Sequence, residues 1–326
     1  MSVLVTGGAG YIGSHMALAL LERGEDVVVL DNLSTGIRGL VPDRAVFIEG
    51  SIGDSQLVRN IIRRYDVDAI LHFAGSTVVP ESVEKPLLYY ANNTMASRCL
   101  IEAAVDCGVQ QFIFSSTAAV YRNPETDTVD ETAPTHPASP YGRSKLVTEW
   151  MLEDTAQSSI FNYVILRYFN VAGADLDGRT GQSTPRATHL IKRACQVALG
   201  RHPYLGIFGT DYPTPDGTGI RDYIHVSDLV TAHIHALLHL RAGGETAVFN
   251  CGYGHGFSVR EIVAAVERMT GCSVPVRELP RRAGDLAAVV SNPGKLKRQL
   301  GWVPRHDALD TIVGSAFAWE RRLNDA

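Results

Sequence analysis

Tyr141 and Lys145 stand four residues apart in Ser-Pro-Tyr-Gly-Arg-Ser-Lys (139–145). On a helix that spacing puts both side chains on one face. An ammonium beside a phenol favours the phenolate, which makes a tyrosine usable as a base near neutral pH. Chance pairs on solvated helices have the same spacing, so this one needs company. A glycine-rich turn at the chain start supplies it, together with Thr117, between the two. Thr117 ends a β-rich run, as β-branched residues often do. Its place two residues after Ser115, at the mouth of a cleft, is what suggests chemistry.

The turn reads Gly7-Gly8-Ala9-Gly10-Tyr11-Ile12-Gly13 and falls between a strand-like run and a helix-like one. Glycines at 7, 10 and 13 permit a tight turn, close approach of a pyrophosphate and close helix–strand packing. The helix should run to about Arg23-Gly24. Asp31 ends the second apolar run, eighteen residues after Gly13. Turn preference alone could place an Asp before Asn32. A carboxylate at that strand end can also accept both adenosine ribose hydroxyls and repel a 2′-phosphate, which favours NAD over NADP.

The elements that must position these groups follow from periodicity. Val3-Leu4-Val5, residues 27–30, 46–48, 69–73, 112–114 and 163–166 are short β-rich runs separated by helical stretches. Strands buried on both faces look like this, and βαβ repetition predicts an α/β, doubly wound parallel Rossmann sheet with ligands at its carboxyl edge. After Asn170 the texture changes. Residues 173–186 and 202–219 are rich in Gly, Asp, Thr and Pro and read as long binding loops. Helices are expected near 226–241, 258–270 and 305–324, and a strand near 247–250. The predicted organisation is an NAD-binding domain over 1–170, to which a helix and strand near 224–252 return, and a smaller, discontinuous C-terminal α/β substrate domain over 171–326.

Composition limits the alternatives. The 326 residues carry a formal net charge of −5, with 45% hydrophobic and 20% charged residues, ordinary values that give no reason to expect nucleic acid or an anionic membrane as partner. No apolar run reaches membrane-spanning length. The N-terminus lacks the basic-then-apolar pattern of a secretion leader, so a cytoplasmic protein is expected. Five scattered cysteines without a Cys-x-x-Cys read as reduced thiols, with Cys99 and Cys107 as small buried hydrophobes of one helix. His233, His235 and His239 share a helix but no suitable carboxylate, so no metal is expected.

Four segments resemble one known family: 6–15 (Thr-Gly-Gly-Ala-Gly-Tyr-Ile-Gly-Ser-His), 115–121 (Ser-Ser-Thr-Ala-Ala-Val-Tyr), 139–145, and 167–174 (Arg-Tyr-Phe-Asn-Val-Ala-Gly-Ala). The most specific is 209–226, Gly-Thr-Asp-Tyr-Pro-Thr-Pro-Asp-Gly-Thr-Gly-Ile-Arg-Asp-Tyr-Ile-His-Val. With 250–256, 281–285 and 300–302, these segments are similar to the UDP-glucose 4-epimerases of the extended short-chain dehydrogenase/reductase family, over essentially the whole chain.

The resemblance implies reversible epimerisation of UDP-glucose and UDP-galactose. Tyr141 would take the 4-hydroxyl proton while hydride passes from C4 to bound NAD. Lys145 would lower the tyrosine pKa and hold the nicotinamide ribose, and Thr117 would hydrogen-bond the same hydroxyl. The 4-keto sugar would turn over about its fixed UDP and recover hydride on the other face. Ala118 and Ala119 stand where related 4,6-dehydratases carry an Asp-Glu pair and UDP-glucuronate decarboxylases usually a Glu, so elimination and decarboxylation are disfavoured. Cofactor contacts are implied for Gly7, Gly10, Tyr11, Ile12, Gly13, Asp31, Asn32, Ser34, Thr35, Gly36, Ser51, Ile52, Phe73, Ala74, Gly75, Thr77, Asn92 and Phe169, besides Tyr141 and Lys145. Substrate contacts are implied for Asn170, His189, Leu190, Gly206, Phe208, Arg221, Arg282, Asp285 and Val289, besides Thr117 and Tyr141. Charge and shape alone do not rank Arg282 above Arg281.

Some positions depart from the enterobacterial pattern. Ser51 replaces an Asp that contacts adenine, Thr77 a Lys near the cofactor, and His189 an Asn that contacts UDP. Val289 stands where a Tyr often faces C2 of the sugar, so an N-acetyl group could fit unless neighbours fill the space. UDP-GlcNAc/UDP-GalNAc and UDP-xylose/UDP-arabinose therefore remain as substrates for the same mechanism. A non-catalytic NAD sensor is the reading of another class, which the intact Thr117, Tyr141 and Lys145 oppose. A homodimer through residues 93–107 and 146–157 is implied.

Overall fold

The computed structural model describes residues 1–121, 128–184, 187–282 and 285–325. Residues 185–186 of the first expected loop, and Ala283 and Gly284 of the 281–285 motif, lie outside the described residues. All six expected apolar runs, and the strand expected near 247–250, become strands of one parallel sheet. In spatial order these are Ala247–Cys251, Asn162–Tyr168, Gln111–Thr117, Val67–His72, Ser2–Thr6, Asp26–Asp31 and Val46–Glu49. Successive residues feed opposite cores, as the two-residue period of a strand requires. Val3, Val5, Val27, Val29 and Ile113 face helices Tyr11–Glu22 and Val226–Arg241. Leu4, Val28, Leu30, Phe112 and Phe114 face helices Ser55–Tyr65, Ala96–Asp106 and Pro140–Ser158. This is the doubly wound Rossmann arrangement, and the order in which strands are added reverses between Ser2–Thr6 and Val67–His72. The carboxyl ends there form the crevice in which such sheets bind ligands.

Beyond the main sheet lies a four-stranded one, in the order Phe257–Ser258, Ile220–Arg221, Ala288–Ser291, Thr128–Val129. Two small parallel pairs join Tyr223–His225 to Asn170–Ala172 and Val276–Leu279 to Leu205–Phe208. Two buried carboxylates fasten these pieces. Asp222 accepts hydrogen bonds from the amides of Tyr253, Gly254 and Ser291 and from the Ser291 hydroxyl. Asp228 accepts from the Tyr253 hydroxyl and the amides of Arg305 and His306. Multiple donors of this kind offset the desolvation of a buried carboxylate.

Two sequence expectations change. The 202–219 stretch is not a continuous loop, because Leu205–Phe208 pairs with Val276–Leu279, a partner roughly seventy residues away that local composition does not reveal. Cys99 and Cys107 are half-buried, and the fully buried thiols are Cys195 and Cys251. Cys99 sits beside exposed Arg98, off the face that Leu100 and Ile101 bury, and Cys107 lies past the helix end.

Three buried histidines make stability depend on acid. Burial lowers His15 and His233 to about 4 and His225 to about 3. Each stays neutral in the fold while the unfolded chain takes up protons from its ordinary value of 6.5 downward, so stability falls as pH drops from there. The melting temperature should be flat from pH 8 to 7 and decline continuously from about 6.5 to 4. A melting temperature unchanged at pH 4.5 in calorimetry would contradict this assignment.

Candidate active site

The glycine turn fits a bound pyrophosphate on geometric grounds. Gly7 has φ +70°, and a Cβ there would lie 2.6 Å from the Ala74 amide nitrogen, because the loops leaving the two switch-point strands touch. A Cβ at Gly13 would lie 2.2 Å from the Gly7 carbonyl oxygen. Helix Tyr11–Glu22 starts at Gly10 with no side-chain cap, so the first-turn amides remain available to an anion. Tyr11 offers that amide but not its hydroxyl, which donates to the Gly173 carbonyl at 2.6 Å.

Asp31 serves the turn and the site together. One carboxylate oxygen accepts the Ala9 amide at 3.0 Å and the other the Leu33 amide at 2.8 Å. A Cβ at Gly36 would come within 2.8 Å of Asp31 Oδ1. Ribose hydroxyls would find a carboxylate already fixed in place. Asn32, Ser34, Thr35, Ser51 and Thr77 are exposed along the same rim, and Ile52 is buried beneath it. Ser51 caps the Gly53 amide at 3.1 Å. Phe73 lies 4.9 Å from the His233 ring.

The residues after Val67–His72 are braced from a turn wound with π-type spacing, Tyr90–Met95. Asn92 Nδ2 donates to the Ser76 hydroxyl at 2.9 Å. The neighbouring Asn93, passed over in the sequence, is the more deeply engaged. Its Oδ1 accepts the Ser76 amide at 2.7 Å, and its Nδ2 donates to the Ser76 carbonyl and the Ser144 hydroxyl, each at 3.0 Å. A doubled Asn is a visible signal, but the helical register that selects between the two is not.

Tyr141 and Lys145 lie in the first turns of helix Pro140–Ser158, capped by the Ser139 hydroxyl on the Gly142 amide at 3.2 Å. Thr117 ends Gln111–Thr117 and accepts the Ala119 amide at 3.1 Å. The two elements meet with no room to spare, since a Cβ at Gly142 would sit 2.3 Å from the Ala119 carbonyl oxygen. Lys145 Nζ donates to the Ser115 carbonyl at 3.0 Å and lies 4.8 Å from the Phe114 ring centre. All three side chains are buried.

Electrostatics corrects one expectation. Burial pushes the Tyr141 phenol above its ordinary value, and the Thr117 hydroxyl alone pulls it back. The expected low phenol is therefore not seen, and the Lys145 ammonium is turned onto the Ser115 carbonyl. Burial brings Lys145 itself down to about 8 against the upward pull of Glu149.

The expected nucleotide contacts gather on the small sheets. Arg221 and Val289 are register partners on neighbouring strands. Arg221 lies 3.8 Å from Asp285. The Arg282 guanidinium stands 3.7 Å over the Phe208 ring, a cation–π contact, and Gly206 precedes Phe208 on the same strand. Arg281 is spent elsewhere, on Asp211 at 2.7 Å and over Tyr212 at 4.1 Å. Asn170, His189, Leu190 and Tyr11 line one cavity. Val289 packs with Ala118 against Val120, Leu146 and Phe169.

The sequence pattern of the NAD dependent epimerase/dehydratase family matches residues 3–252. The chain belongs to this family. It is similar to a UDP-glucose 4-epimerase of Azospirillum brasilense, 56% identical over 99% of this chain and 93% of that one. Among solved structures, UDP-glucose 4-epimerase from Brucella ovis in complex with NAD is 45% identical with a TM-score of 0.95, covering 97% of each chain. The UDP-Glc/GlcNAc 4-epimerase of Campylobacter jejuni is 46% identical with a TM-score of 0.87, covering 98% of this chain and 99% of that one. As a member of the NAD dependent family, the chain carries a turn and an Asp31 carboxylate that fit this cofactor.

The contact at Gly142 is open to a direct test. Gly142→Ala should destabilise by roughly 1–3 kcal/mol through overpacking against backbone. Gly39→Ala, where an added Cβ meets nothing within 4 Å, should stay within about 0.5 kcal/mol of the parent. Equal denaturation midpoints for the two variants would show that the helix is free to shift.

Proposed function

We propose that the protein is an NAD-dependent UDP-glucose 4-epimerase that interconverts UDP-glucose and UDP-galactose. The observation that carries the reading is the pairing of two half-sites. A buried Thr117–Tyr141–Lys145 group followed by Ala118 and Ala119 is available for a sugar alcohol, and Arg221, Arg282, Asp285 and Phe208 are grouped for a nucleoside diphosphate. Similarity to 4-epimerases over the whole chain agrees with it.

On this reading Tyr141 removes the 4-hydroxyl proton and later returns one, with Thr117 hydrogen-bonded to the same oxygen. The turn at Gly7–Gly13 and Asp31 hold NAD, which when bound supplies a reversible hydride acceptor. Arg221 and Arg282 neutralise the diphosphate, Phe208 and Gly206 flank the uracil, and Asp285 accepts a ribose hydroxyl. Asn170, His189 and Leu190 complete the diphosphate side. Ala118 and Ala119 provide neither acid nor base, so the ketone has no route to elimination. The seven-stranded sheet, including the strand Ala247–Cys251, would form the NAD domain, and most of 171–326 the sugar-nucleotide domain. A cytoplasmic setting suits this chemistry, and no described helix is long and apolar enough to cross a membrane.

Purified protein without added NAD should convert UDP-galactose to UDP-glucose and release NAD on denaturation. Tyr141→Phe should lose roughly 10²–10⁴-fold in kcat while keeping its cofactor. Epimerisation by that variant at the parental rate would remove Tyr141 from the role of base. The same assay with UDP-GalNAc tests whether Val289 leaves room for an N-acetyl group.

The homodimer reading draws on Met95 and Trp150, exposed apolar side chains within the two expected faces. Leu87 and Leu88 extend that surface. Light scattering should give twice the chain mass for the parent and one chain mass for Trp150→Asp; a monomeric parent would exclude the dimer.

A further inference from the structure

One helical turn beyond Lys145, Glu149 is wholly buried. Its Oε1 accepts from the Ser116 hydroxyl and from Arg167 Nε at 3.1 Å. Its Oε2 accepts from the same Nε at 3.1 Å and from Arg167 Nη2 at 2.5 Å. Ser116 and Arg167 are register partners on neighbouring strands, so their side chains rise from one face of the sheet beneath the helix. Arg167 Nη1 donates to the Tyr121 hydroxyl at 3.1 Å, and that hydroxyl donates to Asn250 Oδ1 at 2.7 Å. Asn250 Nδ2 donates to the Val129 carbonyl at 2.9 Å. The connected bonds begin under the base helix and end in the small sheet that carries Arg221 and Val289.

A buried ion pair is a weak source of stability, because desolvation consumes most of the attraction and apolar residues of equal volume often serve as well. What they could not provide is a fixed link from the base helix to Ser116, the neighbour of Thr117, or a negative charge one turn from Lys145. We propose that Glu149 is a positioning residue for the epimerase reaction proposed above. Its carboxylate, clamped by Arg167 and Ser116, fixes the Tyr141–Lys145 helix against the strand bearing Thr117 and sets an anion beneath the Lys145 ammonium.

The groups around Lys145 make its charge sensitive to that anion. From its own helix come Tyr141 and Glu149. From Val67–His72 comes His72, which burial first and the Lys145 charge second hold neutral. Asn162–Tyr168 contributes Tyr168, whose phenol burial keeps protonated, and Arg167, which meets Glu149 directly. Among these, Glu149 alone pushes Lys145 upward against its burial. An ammonium whose pKa is depressed carries charge only below that pKa. Losing the Glu149 charge depresses it further, so the charge disappears at a lower pH.

The test is the pH dependence of UDP-galactose epimerisation from pH 6 to 10 for the parent, Glu149→Gln and Glu149→Gln/Arg167→Met. The double variant removes the arginine charge that the single one would leave buried without its partner, and so serves if the single variant does not fold. Each folded variant should show a reduced kcat, a KM within about twofold of the parent's, and an alkaline limb displaced by at least about half a pH unit toward acid. An alkaline limb in its parental position, or displaced upward, overturns the role of Glu149 whatever the kcat. A parent enzyme that does not epimerise overturns the epimerase reading instead.

Discussion

The contact on which the rest depends is the docking of helix Pro140–Ser158 onto the end of Gln111–Thr117. It is made at three heights. At the top, Gly142 lies so close to the Ala119 carbonyl that no side chain fits. One turn down, the Lys145 ammonium is tied to the Ser115 carbonyl. Another turn down, Glu149 takes the Ser116 hydroxyl. A helix held at three points cannot slide or rotate, which keeps Tyr141 within reach of Thr117. Small displacements of a reacting group are expensive in rate, so this rigidity is a functional demand as well as a packing one.

The polar groups in this contact would be unfavourable if isolated. A buried ammonium, a buried carboxylate and a buried guanidinium each lose hydration. They are tolerated because each satisfies another. The sheet supplies the remaining partner, the Ser115 carbonyl, just past the point where its strand stops pairing with Val67–His72. The switch point works on the same principle. Gly7 allows the turn to touch the loop after Val67–His72, and Asp31 ties the turn back to the second strand. The apolar alternation beneath makes the sheet stiff, and its carboxyl ends inherit that stiffness.

The parallel sheet was legible because its inner strands are buried on both faces and so announce themselves as apolar runs. The glycine turn, Asp31 and the Tyr141/Lys145 spacing were legible because backbone geometry restricts the residue types allowed. Glu149 was in principle visible, four residues beyond Lys145 on the same helical face, but its partner Arg167 comes from a strand neighbour that spacing does not predict. Asn93 was hidden by a local change of helical register. The strand Leu205–Phe208 was hidden by a partner distant in sequence. The raised phenol at Tyr141 was hidden for a related reason: spacing on a helix face does not say how deeply a side chain will be buried.

The distribution of polar groups between the half-sites bears on the chemistry proposed. An epimerase must grip one part of its substrate and release another, since the ketone has to present both faces to one hydride donor. Arg221, Arg282 and Asp285 cluster on the proposed nucleotide side, with a distant mutual ion pair, a ring stack and an Arg221 bond to the Ile220 carbonyl as partners. Such partners are readily exchanged for a diphosphate and a ribose. On the proposed sugar side Thr117 is followed by Ala118 and Ala119, and Ala118 shares a small apolar cluster with Val289. Side chains without donors or acceptors hold a sugar by shape alone and leave its rotation cheap. Binding free energy concentrated on the UDP, with an apolar wall around the turning ring, is the division a single-base epimerase requires.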